Sequence, residues 1–173
     1  MIYFTADLHF HHDKIIRHTS RPFHNADEMD RALIRNWNGR IGHDDDVYIL
    51  GDFTMKGAEV ACACLSSLPG RKHLIRGNHD NFLDSPGFEP SLFASIQDYA
   101  EMTYANVRFV LFHYPILEWN GYRKGAIMLH GHQHNHKDYN SKNRRDGILR
   151  YDVGVDANDM APVSAEEIIR FFS

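Results

Sequence analysis

The sequence lacks the features that mark several classes of protein. Only two of its 173 residues are cysteine, Cys62 and Cys64, and they lie too close in sequence for an ordinary disulfide, which excludes a disulfide scaffold. No apolar run approaches the roughly 18 residues that a membrane-spanning helix needs. The first residues also lack the basic and apolar segments of a signal peptide. We therefore expect a cytoplasmic protein without membrane partners.

An excess of positive charge is also missing. The 19 Lys and Arg residues against 23 Asp and Glu residues give a formal net charge of −4. This balance disfavours binding of long duplex nucleic acid, which depends on phosphate neutralisation. The length and the 43% hydrophobic content predict a single globular domain over residues 1–173. Histidine, in contrast, occurs 13 times, and because it is the commonest metal ligand, its positions are informative.

Short apolar segments and amphipathic helical segments alternate in the first half of the chain, whereas strands dominate the second half. Predicted helices begin at the Asn25 N-cap, cover residues 60–68, and begin again at the capping box of Ser164 and Glu167. A long polar loop is predicted at 132–147. The predicted strands cover residues 2–6, 47–50, 73–75, 95–104, 107–112, 126–129 and 148–153. This order predicts an α/β fold of two packed sheets with helices outside.

Metal-ligating side chains recur just past the carboxyl ends of these predicted strands, where α/β sheets bind ligands. Asp7 and His9, two residues apart in an extended segment, are expected to point to one side. Seven residues share this strand-end placement: Asp7, His9, Asp52, Asn78, His113, His132 and His134. They offer carboxylate, imidazole and amide groups but no thiolate, which favours manganese, iron or zinc over a structural zinc site. A bridging Asp52 would give each of two ions four protein ligands.

The order of these motifs resembles that of the calcineurin-like metallophosphoesterases, and in particular small bacterial and phage phosphoesterases. The matching blocks are Asp7-Leu8-His9, Gly51-Asp52, Gly77-Asn78-His79-Asp80, His113 and Gly131-His132-Gln133-His134, which together span residues 7 to 134. The resemblance implies a four-layer α/β/β/α sandwich of two mixed β-sheets flanked by helices.

The resemblance also implies roles for individual residues. It assigns one ion to Asp7, His9, Asp52 and His134, and the other to Asp52, Asn78, His113 and His132. A metal-bridging hydroxide would attack phosphorus, and the catalytic residues would be Asp52, Asn78 and His79, with His79 protonating the leaving oxygen. Many relatives carry an acid three residues past the bridging aspartate, and it orients the catalytic histidine. This chain has Met55 there, so Asp80 or another carboxylate is expected to orient His79.

Candidate substrate contacts are less specific than the ligand motifs. We predict His12 and Arg21 as substrate-binding residues, because both lie close in sequence to the Asp7 motif. Four further basic residues are candidates for phosphate contact, although each alone is more often a solvated charge: Arg17, Arg76, Arg123 and Lys124. The basic segment 137–145 is equally compatible with a substrate gate and a solvated loop.

The sequence thus predicts a phosphoester hydrolase with two divalent metal ions, manganese being favoured over iron, zinc and nickel. A nucleotide or another small phosphodiester is preferred to a monoester, because no cap is inserted between the motifs. The alternative is a binding or scaffold module that has kept the fold and lost catalysis. The sequence leaves the oligomeric state open.

Overall fold

The computed structural model describes all residues from Met1 to Ser173 and is built around two mixed β-sheets. The first sheet consists of β1 (Ile2–Thr5), β2 (Asp46–Ile49), β3 (Arg71–Ile75), β4 (Ser95–Gln97) and β9 (Val163–Ser164). Its strand order is β4-β3-β2-β1-β9. All neighbours are parallel except β9, which pairs antiparallel with β1. The carboxyl ends of β1 to β4 therefore lie at one edge.

The second sheet is formed by β5 (Tyr99–Tyr104), β6 (Val107–Phe112), β7 (Ile127–His130) and β8 (Arg150–Asp152), in that order. Strands β5 and β6 form a hairpin, whereas β6, β7 and β8 are parallel. The predicted strand 95–104 is thus wrong as a single element. It is divided at Asp98 into β4 and β5, which belong to different sheets.

Five α-helices complete the mixed α/β structure: α1 (Asp13–His18), α2 (Ala26–Asn38), α3 (Ala58–Ser67), α4 (Lys137–Arg145) and α5 (Ala165–Phe172). The predicted N-cap of α2 is confirmed, because the Asn25 side chain accepts a hydrogen bond from Glu28 N at 2.9 Å. The capping box of Ser164 and Glu167 at α5 is also present. No helix combines the length and the apolar character needed to cross a bilayer.

Helix α4 occupies a segment that we predicted to be a loop. It lacks apolar periodicity because its buried residues are asparagines. Asn140 Nδ2 donates to Asp152 O and Asn143 Nδ2 donates to Arg150 O, each at 3.0 Å, so the helix is attached to β8 by polar contacts. The hydrophobic pattern of the sequence cannot predict an attachment made by polar side chains.

Apolar side chains hold the two sheets together and cover the first sheet on its other face. Between the sheets, the ring centroids of Phe4 and Phe109 are 5.4 Å apart, and both residues are fully buried. On the opposite face of the first sheet, Leu33 and Trp37 of α2 and Leu65 of α3 belong to a separate buried cluster. Burial of each such side chain stabilises the fold by about 1.5–3 kcal/mol. This packing fixes the strand ends that position the site.

Candidate metal centre

The loops that follow β1, β2, β6 and β7 meet at one edge of the molecule. Backbone hydrogen bonds extend the strand pairing into these loops. Asp7 N donates to Gly51 O and His9 N donates to Asp52 O, each at 3.0 Å. In the second sheet, Gly131 N donates to His113 O at 3.0 Å. These bonds align the ligand motifs within each sheet, and the hydrogen bonds from His132 N to the Asp7 carboxylate join the motifs of the two sheets.

The backbone at these motifs is strained. Five of the predicted ligands have positive φ, namely Asp7 at 56°, His9 at 52°, Asp52 at 56°, His132 at 71° and His134 at 50°. Residues other than glycine rarely adopt this left-handed conformation, and its concentration at one place is typical of functional sites. The prediction that Asp7 and His9 lie in an extended segment is therefore wrong. Each occupies its own left-handed turn, and both side chains still reach the same cluster.

Asp7, His9 and His134 form the first donor group, in which one potential ligand atom from each residue lies within 4.8 Å of the others. His134 Nδ1 lies 2.8 Å from Asp156 Oδ2 and donates to it, which leaves Nε2 free. Burial lowers the pKa of His9 to about 2, so its ring is neutral. Its buried Nε2 has no hydrogen-bond partner. A bound cation would satisfy this nitrogen.

The second donor group consists of Asp52, His113 and His132, again with ligand atoms within 4.8 Å of one another. His113 Nδ1 donates to Leu50 O at 2.7 Å, so Nε2 carries a lone pair. This Nε2 lies 2.9 Å from Asn78 Oδ1, which is also a lone-pair atom. Two acceptors at this distance repel each other unless a proton or a cation lies beside both. The arrangement therefore fits a cation.

Asp52 lies between the two groups. Its Oδ2 atom is 3.6 Å from His9 Nε2 and 3.6 Å from His113 Nε2. Its other oxygen, Oδ1, accepts a hydrogen bond from His79 N at 2.9 Å. A single carboxylate oxygen is thus equidistant from one imidazole of each group, which is the position that a bridging ligand requires.

Negative charge is concentrated in the buried part of the cluster. Burial raises the pKa of Asp7 well above its ordinary value, and the neighbouring charges of Asp152 and Asp52 raise it further. His132 N donates to both carboxylate oxygens of Asp7, at 3.1 and 2.9 Å. Buried carboxylates this close to one another are costly without a compensating cation. Together with the absence of thiolates, this composition fits divalent metal ions.

Glycines leave the space that these side chains occupy. A Cβ atom at Gly51, where φ is 89°, would lie 2.4 Å from His113 Nδ1. A Cβ atom at Gly77 would lie 2.4 Å from Asp52 Oδ1, and one at Gly131 would lie 2.6 Å from Asp7 Oδ2. Each motif therefore requires its glycine because a ligand side chain from another motif fills the adjacent volume.

The predicted catalytic histidine, His79, lies beside the first group, with its ring centroid 5.7 Å from that of His9. Asp80 does not orient it. The Asp80 carboxylate accepts hydrogen bonds from Asp52 N at 3.0 Å, Phe53 N at 2.8 Å and Gly77 N at 2.8 Å. The prediction is wrong for Asp80, because its two oxygens bind backbone groups and join the Asp52 and Gly77 loops. Asp80 thus supports the cluster through the backbone.

Arg21 is not available to a substrate, contrary to our prediction. Its buried guanidinium forms two hydrogen bonds with Asp156, at 2.9 and 2.8 Å, and a further one with Asp7 O at 2.6 Å. The side chain points inward because its donors satisfy this carboxylate and backbone carbonyls. His12, by contrast, is half-buried, and its Nδ1 lies 3.3 Å from His9 Nδ1. It lines an open groove together with His79.

The other basic candidates lie apart from one another. Arg17 lines the same groove as His79, whereas Arg76 pairs with Asp84. Arg123 and Lys124 line a separate groove of about 690 Å³ around the turn that precedes β7. That turn lies at the amino end of β7, opposite to the strand end that carries the cluster.

Our sequence reasoning missed Asp156. This residue lies in a short 3₁₀ turn, Val155–Ala157, soon after β8. Its carboxylate binds His134 and Arg21, which are far from it in sequence. The strand-end rule would have found Asp156 if we had applied it to the last strand of the second sheet as well.

No protein-family model matches the sequence, but several known proteins are similar to it over most of the chain. The uncharacterized protein MJ1445 of Methanocaldococcus jannaschii is 34% identical over 173 residues, which cover 98% of this chain and 89% of the relative. The gene 66 protein of Mycobacterium phage D29 is 32% identical over 162 residues, covering 77% of this chain and 78% of the phage protein.

A solved structure is similar over nearly the whole chain. A crystal structure of the protein of unknown function AQ665 from Aquifex aeolicus has a TM-score of 0.76 and 27% identity, covering 98% of each chain. Yfce, a phosphoesterase from E. coli, has a TM-score of 0.41 and 15% identity over 95% of this chain and 81% of Yfce, a similarity too low to support an inference. On the strength of the identity with MJ1445 and its coverage, the chain belongs to the protein family that includes MJ1445 and the phage D29 gene 66 protein.

Proposed function

We propose that the chain is a metal-dependent phosphoester hydrolase that acts on a nucleotide or another small phosphodiester in preference to a monoester. We further propose that residues 1–173 form one domain with the four-layer α/β/β/α arrangement of metallophosphoesterases. The observation that supports this function most strongly is the position of Asp52, whose Oδ2 is 3.6 Å from an imidazole nitrogen of each donor group.

In this proposal the seven strand-end residues hold two ions, with manganese expected and iron, zinc or nickel as alternatives. One ion is assigned to Asp7, His9, Asp52 and His134, and the other to Asp52, Asn78, His113 and His132. When bound, such a pair of ions lowers the pKa of a water molecule and neutralises charge on phosphoryl oxygens.

The remaining chemistry is assigned to side chains of the chain itself. The imidazole of His79 is partly exposed, makes no hydrogen bond, and lies beside His9, so it is free to deliver a proton to a leaving oxygen. Its backbone is held by the hydrogen bond from His79 N to Asp52 Oδ1. The site opens into a groove of about 550 Å³, and this space favours a diester with a second substituent.

Hydrolysis of bis-p-nitrophenyl phosphate by the manganese-loaded protein tests the proposal. We expect Asp52→Asn to reduce kcat/KM by at least about a hundredfold, because charge stabilisation at the reacting group is lost. Elemental analysis should find two ions per wild-type chain. The exposed control Asp44→Asn should retain wild-type activity. Full hydrolysis by the metal-stripped protein, or by Asp52→Asn, would contradict the mechanism.

The environment of His79 supports one alternative, a binding module without catalysis. Met55 occupies the position of the expected acid, and Asp80 does not reach the His79 ring. Two bound ions without hydrolysis of any ester in a panel of mono- and diesters, tested with manganese, nickel, iron and zinc, would favour this alternative.

A further inference from the structure

The groove beside His79 has a lining whose charged residues are all basic. Its volume is about 550 Å³, which is within the range of small-molecule sites. Besides His9 and Ile15, its lining residues are His12, Lys14, Arg17, His18, Met55 and His79. No aspartate or glutamate is among them, so nothing in the lining compensates the positive charge.

Two of these cations have no partner in the protein. Lys14 and Arg17 are exposed, lie one turn apart on α1 and form neither an ion pair nor a side-chain hydrogen bond. The acid next to them in sequence, Asp13, is engaged elsewhere, because its Oδ1 accepts from Ala26 N at 2.7 Å. Elsewhere on the surface an equally exposed cation, Lys142, pairs with Asp146 at 2.6 Å.

The groove extends to the candidate metal centre. His9, His12 and His79 all line it, and His12 Nδ1 lies 3.3 Å from His9 Nδ1. Met55, which is 48% exposed, adds an apolar surface to the lining of the groove. The groove thus combines anion-binding groups with a contact for a base or a sugar.

We infer that this groove binds a second phosphate of the substrate, held by Lys14 and Arg17 while the scissile phosphate lies at the metal centre. This inference rests on the proposed function and narrows its substrate class to nucleotides that carry at least two phosphates. Lysine and arginine bind phosphate through charge-assisted hydrogen bonds. The source is either a short oligonucleotide, whose scissile phosphate is the preferred diester, or a mononucleotide bisphosphate, which carries two monoesters and would be an exception to the preference for a diester. Both present the same second phosphate to the groove.

Isothermal titration calorimetry of the manganese-loaded protein tests the inference with three probes: thymidine 5′-phosphate, thymidine 3′,5′-bisphosphate and the 5′-phosphorylated dinucleotide pTpT. We expect at least one probe with two phosphates to bind about ten- to hundredfold more tightly than the monophosphate. A preference for pTpT alone identifies an oligonucleotide source, and a preference for the bisphosphate alone identifies a mononucleotide.

The double variant Lys14→Gln/Arg17→Gln should abolish this preference. The matched control Arg31→Gln/Arg35→Gln removes two exposed, unpaired charges one turn apart on α2 and should keep it. Equal affinities of the wild-type protein for one and two phosphates would overturn the inference, as would an unchanged preference in the Lys14→Gln/Arg17→Gln variant. Absence of bis-p-nitrophenyl phosphate hydrolysis by the wild-type protein would refute the hydrolase separately, while the calorimetric comparison still decides the role of the groove.

Discussion

The two donor groups of the candidate metal centre are supported in different ways. In the first group, His134 is held by a charged side chain, because its Nδ1 donates to Asp156, which is also bound by Arg21. In the second group, His113 is held by the backbone, because its Nδ1 donates to Leu50 O. The ring of a ligand histidine in the first group therefore depends on a charged side chain outside the ligand set, whereas the His113 ring depends on a backbone carbonyl. In the second group the Asp80 side chain acts only through the backbone of the Asp52 and Gly77 loops.

The two groups differ in their support because of the buried ion pair of Arg21 and Asp156. Burial raises the pKa of Asp156, but the hydrogen bonds from His134 and Arg21 hold this pKa well below its ordinary value. Arg21 also donates to Asp7 O and to Leu8 O. One ion pair thus fixes both the His134 ring and the Asp7 loop, whereas the His113 ring of the second group is held by Leu50 O and by no ion pair outside the ligand set.

The largest effect on stability is expected from breaking this pair. Asp156→Leu leaves the buried Arg21 guanidinium without a counter-charge and should lower the free energy of unfolding by about 3–5 kcal/mol. Denaturant unfolding of the metal-free protein measures this loss.

Two further variants make this experiment specific. Adding Arg21→Met to Asp156→Leu removes both charges and should recover part of the loss. Arg40→Gln, which breaks the exposed pair with Glu167, should cost at most about 1 kcal/mol. A double variant less stable than Asp156→Leu would show that the pair does not act as a compensated charge.

The second group should respond instead to a change of the backbone. Gly51→Ala places a Cβ atom 2.4 Å from His113 Nδ1 at a residue with φ of 89°, so we expect a loss of about 2 kcal/mol of stability. The control is Gly57→Ala, since a Cβ there meets nothing within 4 Å and φ is −71°. Equal thermal stability of the two variants would contradict the requirement for glycine at position 51.

Metal titration should separate the two groups directly. Asp156→Asn keeps the shape of the side chain but removes the charge that orients His134, and it should weaken binding of one manganese ion by at least about tenfold. The second ion should bind as in the wild-type protein, because Leu50 O still holds His113. Equal weakening of both ions, measured by electron paramagnetic resonance, would show that the two groups are not independently supported.

The sequence predicts this cluster better than it predicts the supporting residues. The strand-end motifs are local in sequence, so His9 and Asp52 could be predicted, and the structure places His9 Nε2 3.6 Å from Asp52 Oδ2. The contact of Arg21 with Asp156 joins residues 135 positions apart, and no local pattern encodes it. The same reason explains the missed helix α4, whose asparagines bind strand backbone, and the division of residues 95–104 between two sheets.

We expect the smallest effect on stability from the exposed ion pair of Arg71 and Asp46 at the opposite end of the first sheet. This pair serves as the comparison for the buried pair of Arg21 and Asp156. The hydrogen bond from Arg71 is the main cause that lowers the pKa of Asp46 to about 2. Since this folded-state pKa lies below the ordinary value of about 3.9, the pair stabilises the protein above pH 4 and loses its contribution as the pH falls through about 2.

Solvent screening limits the contribution of this pair, so Asp46→Asn should lower the free energy of unfolding by less than about 1 kcal/mol at pH 7 and by only a small part of that at pH 2. Unfolding curves at the two pH values measure both quantities. If Asp46→Asn lowers the free energy of unfolding at pH 7 as much as Asp156→Leu does, burial does not explain the difference in stability between the two pairs. The dependence of the first donor group on a buried charge would then need another explanation.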